Sequence, residues 1–328
     1  GCTDFGLLQS FDGGNSWLRA LRCWENGKLV SMGPNYRNTC YDLEFDKNNH
    51  NIVYSIWSSL QTAPYSPNAS YLKAKGAFGI SYDGGTSWCF KSIVEGDLIL
   101  PYRMEIVYKQ NKRIIYIASE NKGIFVSYDN GESFQEMNDG IPYSYSLGEN
   151  NPCIFANEII STKHGLYAII GAGASNKKDK GFYHYNEQLK KFESIPIPKN
   201  VAVFRDIVYS SKEDCIYLAA IATSLDNSAN LKKAGGGVYR YKDGVFTQIL
   251  DETISVFGVD LDSTGRLYAT VFDGKIYRFD QDNTTYELLV DGLFHVLKNI
   301  SFGHKNSILY VTSWGGGTER IILKGKYE

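Results

Sequence analysis

Several things are scarce or missing in this sequence, and each absence excludes something. Methionine appears 3 times and proline 8 times in 328 residues. The longest apolar runs fall far short of the ~20 residues that a membrane-crossing helix needs, so no membrane span is expected. No amphipathic helical period extends beyond two turns, which argues against an α-helical core. No basic stripe is present: 34 Lys and Arg stand against 36 Asp and Glu, a formal charge of −2. A nucleic-acid partner is therefore not expected. The six cysteines, Cys2, Cys23, Cys40, Cys89, Cys153 and Cys215, form no CxxC pair, so no zinc site is written here. Their even count favours disulfides over buried thiols, with the pairing open.

Other motifs are missing too. No G-x-S-x-G occurs, which removes the strand-to-helix serine nucleophile. "GAGAS" (171–175) and "GGG" (235–237) lack a strand-to-helix context and are not phosphate loops. No hydrophobic leader is written. Gly1 reads as a processing boundary, with lipidation of Cys2 after a "GC" cleavage scar as the alternative. Sequons stand at Asn68, Asn283 and Asn299.

What is abundant points one way. There are 24 tyrosines and 32 glycines. Aromatic and β-branched residues come in short runs separated by Gly, Asn and Asp, the writing of many short strands joined by tight turns. The chain also repeats itself. "SFDGGNSW" (10–17) recurs as "SYDGGTSW" (81–88) and "SYDNGESF" (127–134). Around these boxes runs a four-strand grammar, A to D, as in "CYDLEFD", "NIVYSIWSS", "GAFGISYD" and "WCFKSI". Four antiparallel strands per 40 to 60 residues, repeated, predict an all-β β-propeller.

With the box aspartate as a ruler, the marks are Asp12, Asp83, Asp129, Asn186, Lys242, Asp280 and Ile322. Seven marks predict a seven-bladed propeller of four-stranded antiparallel blades. It would form one domain over 1–328, with a partial first blade in 1–22, full blades over about 40–292 and a partial last blade in 293–328. Three strands of that ring would then lie upstream of Gly1. The alternative is a six-bladed ring closed by residues 6–22.

Within the box, Gly14, Gly85 and Gly131 suit backbone conformations that other residues resist. Asp12, Asp83 and Asp129 are expected to brace their own turns by accepting amide hydrogen bonds. One isolated carboxylate per turn is a poor metal cage, so neither metal nor cofactor is expected.

The three segments resemble the Asp-box, or BNR repeat, of the propellers of sialidases, xyloglucan hydrolases and sortilin-type receptors. "TDFGLLQSFDGGNSW", "NTCYDLEFD", "GAFGISYDGGTSW" and "ILYVTSWGGG" together resemble secreted bacterial Asp-box proteins of glycan-rich settings, which are glycosyl-hydrolase-like. That resemblance implies an extracellular or cell-surface protein whose partner is a polysaccharide or glycan. The group tends to carry an His-Asp-Leu-Pro stretch where this chain reads "SLQTAPYS" (59–66), with neither His nor Asp. A catalytic role at that stretch does not carry over. The Arg-Ile-Pro stretch of sialidases is also absent.

In a propeller, A–B and C–D turns share one face, and B–C and D–A connections the other. The long segments here fall on the second face: 24–39, 58–75, 139–151, 173–180 and 223–235. Long loops on one rim of a rigid scaffold are where function concentrates. They carry Tyr36, Arg37, Trp57, Tyr65, Tyr71, Tyr143 and Tyr145, aromatic platforms and polar groups that suit sugar rings. Strand ends on that face carry Arg103, Glu105, Glu120, Arg205, Asp206, Asp273 and His295. A glycosidase needs two carboxylates about 5 to 10 Å apart, one with a raised pKa. Glu105, Glu120, Asp206 and Asp273 are the candidates. A lyase would instead draw on Arg103, Arg205 and His295. Three functions follow: a carbohydrate-active propeller, a non-catalytic glycan- or protein-binding module of a larger polypeptide or surface assembly, and a sortilin-like peptide binder.

Overall fold

A computed structural model describes residues 6–32, 39–60, 73–110, 112–143, 145–146, 152–171, 181–224, 233–271, 273–293, 297–302, 308–313 and 317–323. The strands begin with two small hairpins: β1 (Leu8–Gln9) with β2 (Leu18–Arg19), and β3 (Arg22–Glu25) with β4 (Lys28–Ser31). Blade-type sheets follow. The first is β5 (Thr39–Phe45), β6 (Val53–Ser58), β7 (Gly76–Ser81) and β8 (Cys89–Lys91). The second is β9 (Pro101–Lys109), β10 (Lys112–Ser119), β11 (Gly123–Ser127) and β12 (Gln135–Glu136). After the pair β13 (Tyr145–Ser146) and β14 (Pro152–Cys153) comes the third: β15 (Ala156–Thr162), β16 (Gly165–Ile170), β17 (Gly181–Asn186) and β18 (Lys191–Ile195).

The fourth joins β19 (Phe204–Ser210) and β20 (Cys215–Ala220) to β23 (Gly237–Lys242) and β24 (Val245–Gln248). Between its halves sits the pair β21 (Thr223–Ser224) and β22 (Lys233–Ala234). The fifth is β25 (Val256–Leu261), β26 (Leu267–Val271), β27 (Ile276–Phe279) and β28 (Tyr286–Val290). The sixth is β29 (Leu297–Phe302), β30 (Ile308–Ser313) and β31 (Gly317–Ile322).

The protein is all-β, and among the described residues the blade-type sheets number six rather than seven. The ruler overcounted at Asp12. That box closes a hairpin of only two described strands, β1 and β2, and not a four-stranded blade.

The chain divides into two compact units, Gly1–Ser161 with Gly165–Ser194, and Thr162–His164 with Ile195–Glu328. In the first unit, alternation along the strands buries apolar side chains between successive sheets. Phe78, Ile80, Met104, Ile115, Ile117 and Phe125 pack together, and Ile124, Val126, Ile159, Ala168 and Tyr183 form the next layer. The hairpins β1–β4 contribute Leu7, Ala20, Cys23 and Met32 to a layer with Cys40, Trp57 and Trp88. In the second unit, Tyr217, Val238, Val259 and Leu267 form one layer and Tyr268, Ile300, Leu309 and Val311 another.

A recurrent irregularity shapes the strand that opens five of the blade-type sheets. One residue is skipped in the pairing at Tyr41, Tyr102, Arg205, Phe257 and Lys298. A β-bulge at a fixed point bends the strand and re-aims the side chains that follow it. Asp42 and Asp206 come directly after two of these bulges.

Among the described residues no disulfide forms: Cys23, Cys40, Cys89, Cys153 and Cys215 are not bridged to one another. The expected framework gives way to cysteines that act as small apolar core groups, most of them buried. Cys2 lies outside the described residues. The sequon at Asn283 is fully buried. Its Oδ1 accepts the Leu267 amide at 2.8 Å and its amide donates to the Gly265 carbonyl at 3.1 Å and to Glu213. That asparagine is a structural brace, with no room for a glycan.

Candidate functional site

The box turns are built alike. In the first, Asp12 Oδ1 accepts the Ser16 amide at 2.8 Å and the Ser10 hydroxyl at 2.7 Å, while Oδ2 accepts the Ser16 hydroxyl at 2.6 Å. Asp83 takes Ser87 and Ser81 in the same way, at 2.8, 2.7 and 2.6 Å. Asp129 takes Ser133 and Ser127 at 2.9, 2.7 and 2.5 Å. The leading serine oxygen then accepts the amide of Gly14, Gly85 or Gly131 at 2.7 to 2.8 Å. Those glycines sit near φ +90°, and a Cβ on Gly131 would lie 2.2 Å from the Phe78 ring. The Ser133 hydroxyl and amide hold Asp129 down at about 2. Asp83 is lowered as well: burial pushes it up, and its serine donors outweigh that. Asp280, at the same turn position of a later blade, accepts the Thr284 amide at 2.7 Å and two threonine hydroxyls. These carboxylates are ionised and committed to their own loops.

The opening strands carry a second set of acids. Asp42, after the bulge in β5, accepts the Met104 amide of β9 at 2.9 Å and its own neighbour Leu43 N–H at 2.9 Å. Asp206, after the bulge in β19, accepts the Val259 amide of β25 at 2.9 Å and the Ile207 N–H at 3.0 Å. Glu105 accepts the Ser161 amide of β15 at 3.0 Å. Each carboxylate thus ties one sheet to the next through a backbone donor. Arg103 adds an ion pair with Glu158 at 2.8 Å and lies 5.1 Å from the Tyr102 ring centroid. Arg205 lies 5.9 Å from the Phe257 ring centroid.

Charge accumulates where these strands run side by side. Glu44 sits two residues beyond Asp42 and is half-buried. Burial, then the charges of Asp42 and Glu105, push it up to about 9. Burial pushes Glu105 up to about 7 against the pull of the Ser161 amide, with Asp42 adding to the rise. In the second unit, burial raises Asp260 to about 7, opposed by the Leu261 N–H and helped by Asp206 and Asp262. Glu44 and Glu105 are therefore a pair with separated pKa values, the pattern by which acid and base roles are divided. Among the described residues no cluster of three or more His, Cys, Asp or Glu has the geometry to hold a metal ion.

Each sequence-derived acid has its own surroundings. Glu120 is fully buried, its amide donating to the Leu100 carbonyl at 2.9 Å. Glu105 pairs with Tyr116. Asp273 is exposed and ion-paired with Lys275 at 2.5 Å. Trp57 is fully buried, its N–H on Ser55 and its ring edge-on to Trp88 at 5.6 Å, so it offers no platform to a ligand. β6 is buried along its whole length, on both faces, and Trp57 with it. Tyr143 is exposed. Tyr36, Arg37, Tyr65, Tyr71 and His295 lie outside the described residues, as does the side chain of Tyr145.

Sequence reasoning missed a further brace, the aspartate that opens the A–B turn. Asp46 is fully buried. Its Oδ1 accepts the amides of Asn48 and Asn49 at 2.9 and 3.0 Å. Its Oδ2 accepts the hydroxyls of Tyr54 and Tyr108 at 3.1 and 3.4 Å and the Arg113 guanidinium N–H. Asp262 repeats the turn brace: its Oδ1 accepts the amides of Thr264 and Arg266 and the Thr264 hydroxyl, and its Oδ2 the Tyr268 hydroxyl. The signal was present as "FDKNNH" and "LDSTGR", an acid at the same place in two blades.

Comparison with known proteins places the fold. A strictosidine synthase-like N-terminal family signature matches residues 258–279, a small part of the chain. No curated protein matches. Solved structures do. The extracellular domain of a putative one-component system of B. thetaiotaomicron superposes with a TM-score of 0.59 at 15% identity, over 97% of this chain and 36% of that one. YCF48 bound to D1 peptide gives 0.63 at 11% identity, over 98% and 88%. A putative 6-phosphogluconolactonase of Bacteroides fragilis gives 0.52 at 15%, over 93% and 86%. The chain spans about a third of the length of the B. thetaiotaomicron chain. At these identities the likeness extends to the fold alone, an all-β propeller of four-stranded antiparallel blades.

Proposed function

We propose that this protein is an extracellular, Asp-box-type binding propeller that takes a polysaccharide on the face formed by its B–C and D–A connections. The observation that carries the reading is the inequality of the links. A–B and C–D turns run from two to seven residues, as at 110–111 and 128–134, and the B–C links 120–122, 272–275 and 314–316 are short as well, whereas the long segments 59–75, 137–151, 171–180 and 221–236 all belong to B–C and D–A connections. Evolution places recognition on long loops held by a rigid scaffold. Tyr36, Arg37, Tyr65, Tyr143 and His295 are the proposed contacts. Arg103 and Arg205 supply charge at the strand ends nearby. The engagement of Asp206, Glu120 and Asp273 in packing and ion pairing supports binding over cleavage by those acids. That one similar structure is an extracellular domain and another holds a peptide fits a binding role within a larger polypeptide or surface assembly.

A second reading rests on two raised carboxyls: burial, then the charges of Asp42 and Glu105, push Glu44 up to about 9, and burial pushes Glu105 up to about 7. Glycoside cleavage, if it occurs, would run through this pair as acid and base, joining Glu105, one of the four acids chosen from strand ends, to Glu44, which was not among them. A polysaccharide array read for both binding and product release separates the two. Retained binding with no cleavage supports the binding module. Cleavage that is lost in Glu105→Gln would replace it with the enzyme, and an array with neither binding nor cleavage would sink both.

A further inference from the structure

The glycines of "GGG" (235–237) have a packing role. They end the B–C link of the fourth sheet and pack against two D–A links of the second unit, 196–203 and 249–255. A Cβ on Gly235 would lie 1.9 Å from the Asn200 carbonyl oxygen, and one on Gly236 would lie 2.2 Å from that of Ile254. The Gly236 and Gly237 amides donate to the Glu252 and Ile254 carbonyls at 2.8 and 2.7 Å. Backbone approaches backbone this closely where no side chain intervenes. The packing fixes these three connections against one another.

It also brings together two side chains that stand 52 positions apart. The Asn200 amide donates to Glu252 Oε2 at 2.7 Å. Asn200 is exposed and Glu252 half-buried, and both lie on the face of the B–C and D–A connections. Among the described residues no Lys, Arg or His pairs with Glu252, and no donor reaches its Oε1. A third polar group is buried beside them. Tyr239 is 3% exposed, and its hydroxyl makes no hydrogen bond of normal geometry. Burial raises that phenol, the charge of Glu252 adds to the rise, and the Asn200 side chain opposes it.

A fixed amide–carboxylate pair with an acceptor oxygen to spare suits one chemistry. Hydroxyls donate to a carboxylate in strong, charge-assisted hydrogen bonds. The asparagine adds a donor and an acceptor. Neighbouring hydroxyls are what a neutral sugar ring offers. A uronate or sulfated chain brings negative charge to an acid that has no cation beside it, and like charges repel.

We propose that Asn200 and Glu252 form a hydroxyl-reading subsite of the polysaccharide face, with the Tyr239 hydroxyl beside them, and that they select neutral chains over acidic ones. The proposal rests on the reading of that face as the glycan face and adds the substrate class. Neither residue was among the contacts expected from sequence.

The test is an array of neutral, acidic and amine-bearing polysaccharides, galactomannan, polygalacturonate and chitosan among them, probed with the intact protein, Glu252→Gln and Asn200→Ala. The parent should bind a neutral chain and pass over polygalacturonate. Glu252→Gln keeps the size of the side chain, an oxygen for the Asn200 amide and the carbonyl that holds Gly236. It should unfold at the parent's temperature and bind the neutral chain about ten-fold or more weakly, the weight of one hydrogen bond to a charged group. It should also discriminate less against polygalacturonate, which a folding defect would not bring about. Neutral binding unchanged in both variants overturns the subsite and leaves the glycan face standing. So does a parent that prefers polygalacturonate, or one that binds chitosan alone. A parent that binds nothing on the array overturns the glycan face and the subsite together.

Discussion

Asp46→Asn tests how the blades are held together. The substitution keeps the shape of the side chain and exchanges one acceptor oxygen for an NH2 donor. Asp46 is fully buried and receives two amides, two tyrosine hydroxyls and the Arg113 guanidinium. An asparagine can still accept the Asn48 and Asn49 amides through its oxygen. Its NH2 then points at Arg113 and the tyrosines, donor against donor. Breaking a buried ion pair costs about 3 to 5 kcal/mol. Arg113 is partly exposed and can turn toward solvent. The expected loss is therefore about 3 kcal/mol, the lower end of that range.

pH gives the second arm. Burial opposes ionisation of Asp46, but Arg113, the turn amides and Tyr54 outweigh it and hold the carboxyl well below its usual range. A carboxyl depressed in the folded state contributes stability that is complete above its unfolded pKa of about 3.9 and is lost as pH falls toward the folded value. The gap between parent and variant should thus shrink by about 1 kcal/mol between pH 7 and pH 3. Urea unfolding followed by circular dichroism at both pH values reads it. Arg113→Met, alone and with Asp46→Asn, completes a double-mutant cycle with a coupling of about 2 kcal/mol. A loss under about 0.5 kcal/mol at unchanged m-value, or a gap that widens in acid, would refute the reasoning.

Glu44 should behave in the opposite sense. A carboxyl raised in the folded state contributes stability that is present below its unfolded pKa of about 4.3 and lost as pH rises toward about 9. Glu44→Gln should therefore change little at pH 4.5 and stabilise by about 1 kcal/mol or more at pH 8, read by urea unfolding at the two pH values. Gly131→Ala meets both a positive φ and the Phe78 ring. A cost of about 2 kcal/mol is expected, measured by thermal unfolding against Gly27→Ala, whose Cβ would meet open space. Asn283 should stay unmodified when the protein is made in a glycosylating host, as intact-mass and peptide spectrometry would report.

Much of the fold was legible because it is written in local, repeated signals. The box residues fix a turn through contacts within eight positions, and period-two alternation marks strands such as "GIFVSYD". The blade count failed where one local signal, Asp12, was taken to mark a separate, partial blade. A turn motif reports a hairpin and says nothing of the two strands beside it. The site acids were less legible for a related reason. Asp42 and Asp206 find their partners, Met104 and Val259, 62 and 53 residues away. In sequence they read as the polar side of an alternating strand. Glu44 was passed over on the same ground, since "DLEFD" looks like an ordinary solvated face until a neighbouring strand brings Glu105 beside it. Trp57 shows the converse: position near a long loop suggested a ligand platform, and β6 is buried along its whole length.

The central claim is that the face of long connections binds polysaccharide. Hydrogen-exchange footprinting with a polysaccharide taken from the array as bound tests it most directly. The account predicts slowed exchange in 59–75, 137–151, 171–180 and 221–236, with the box turns at 10–17, 81–88 and 127–134 unchanged. Protection confined to the box turns, or spread evenly over both ends of the strands, would contradict it.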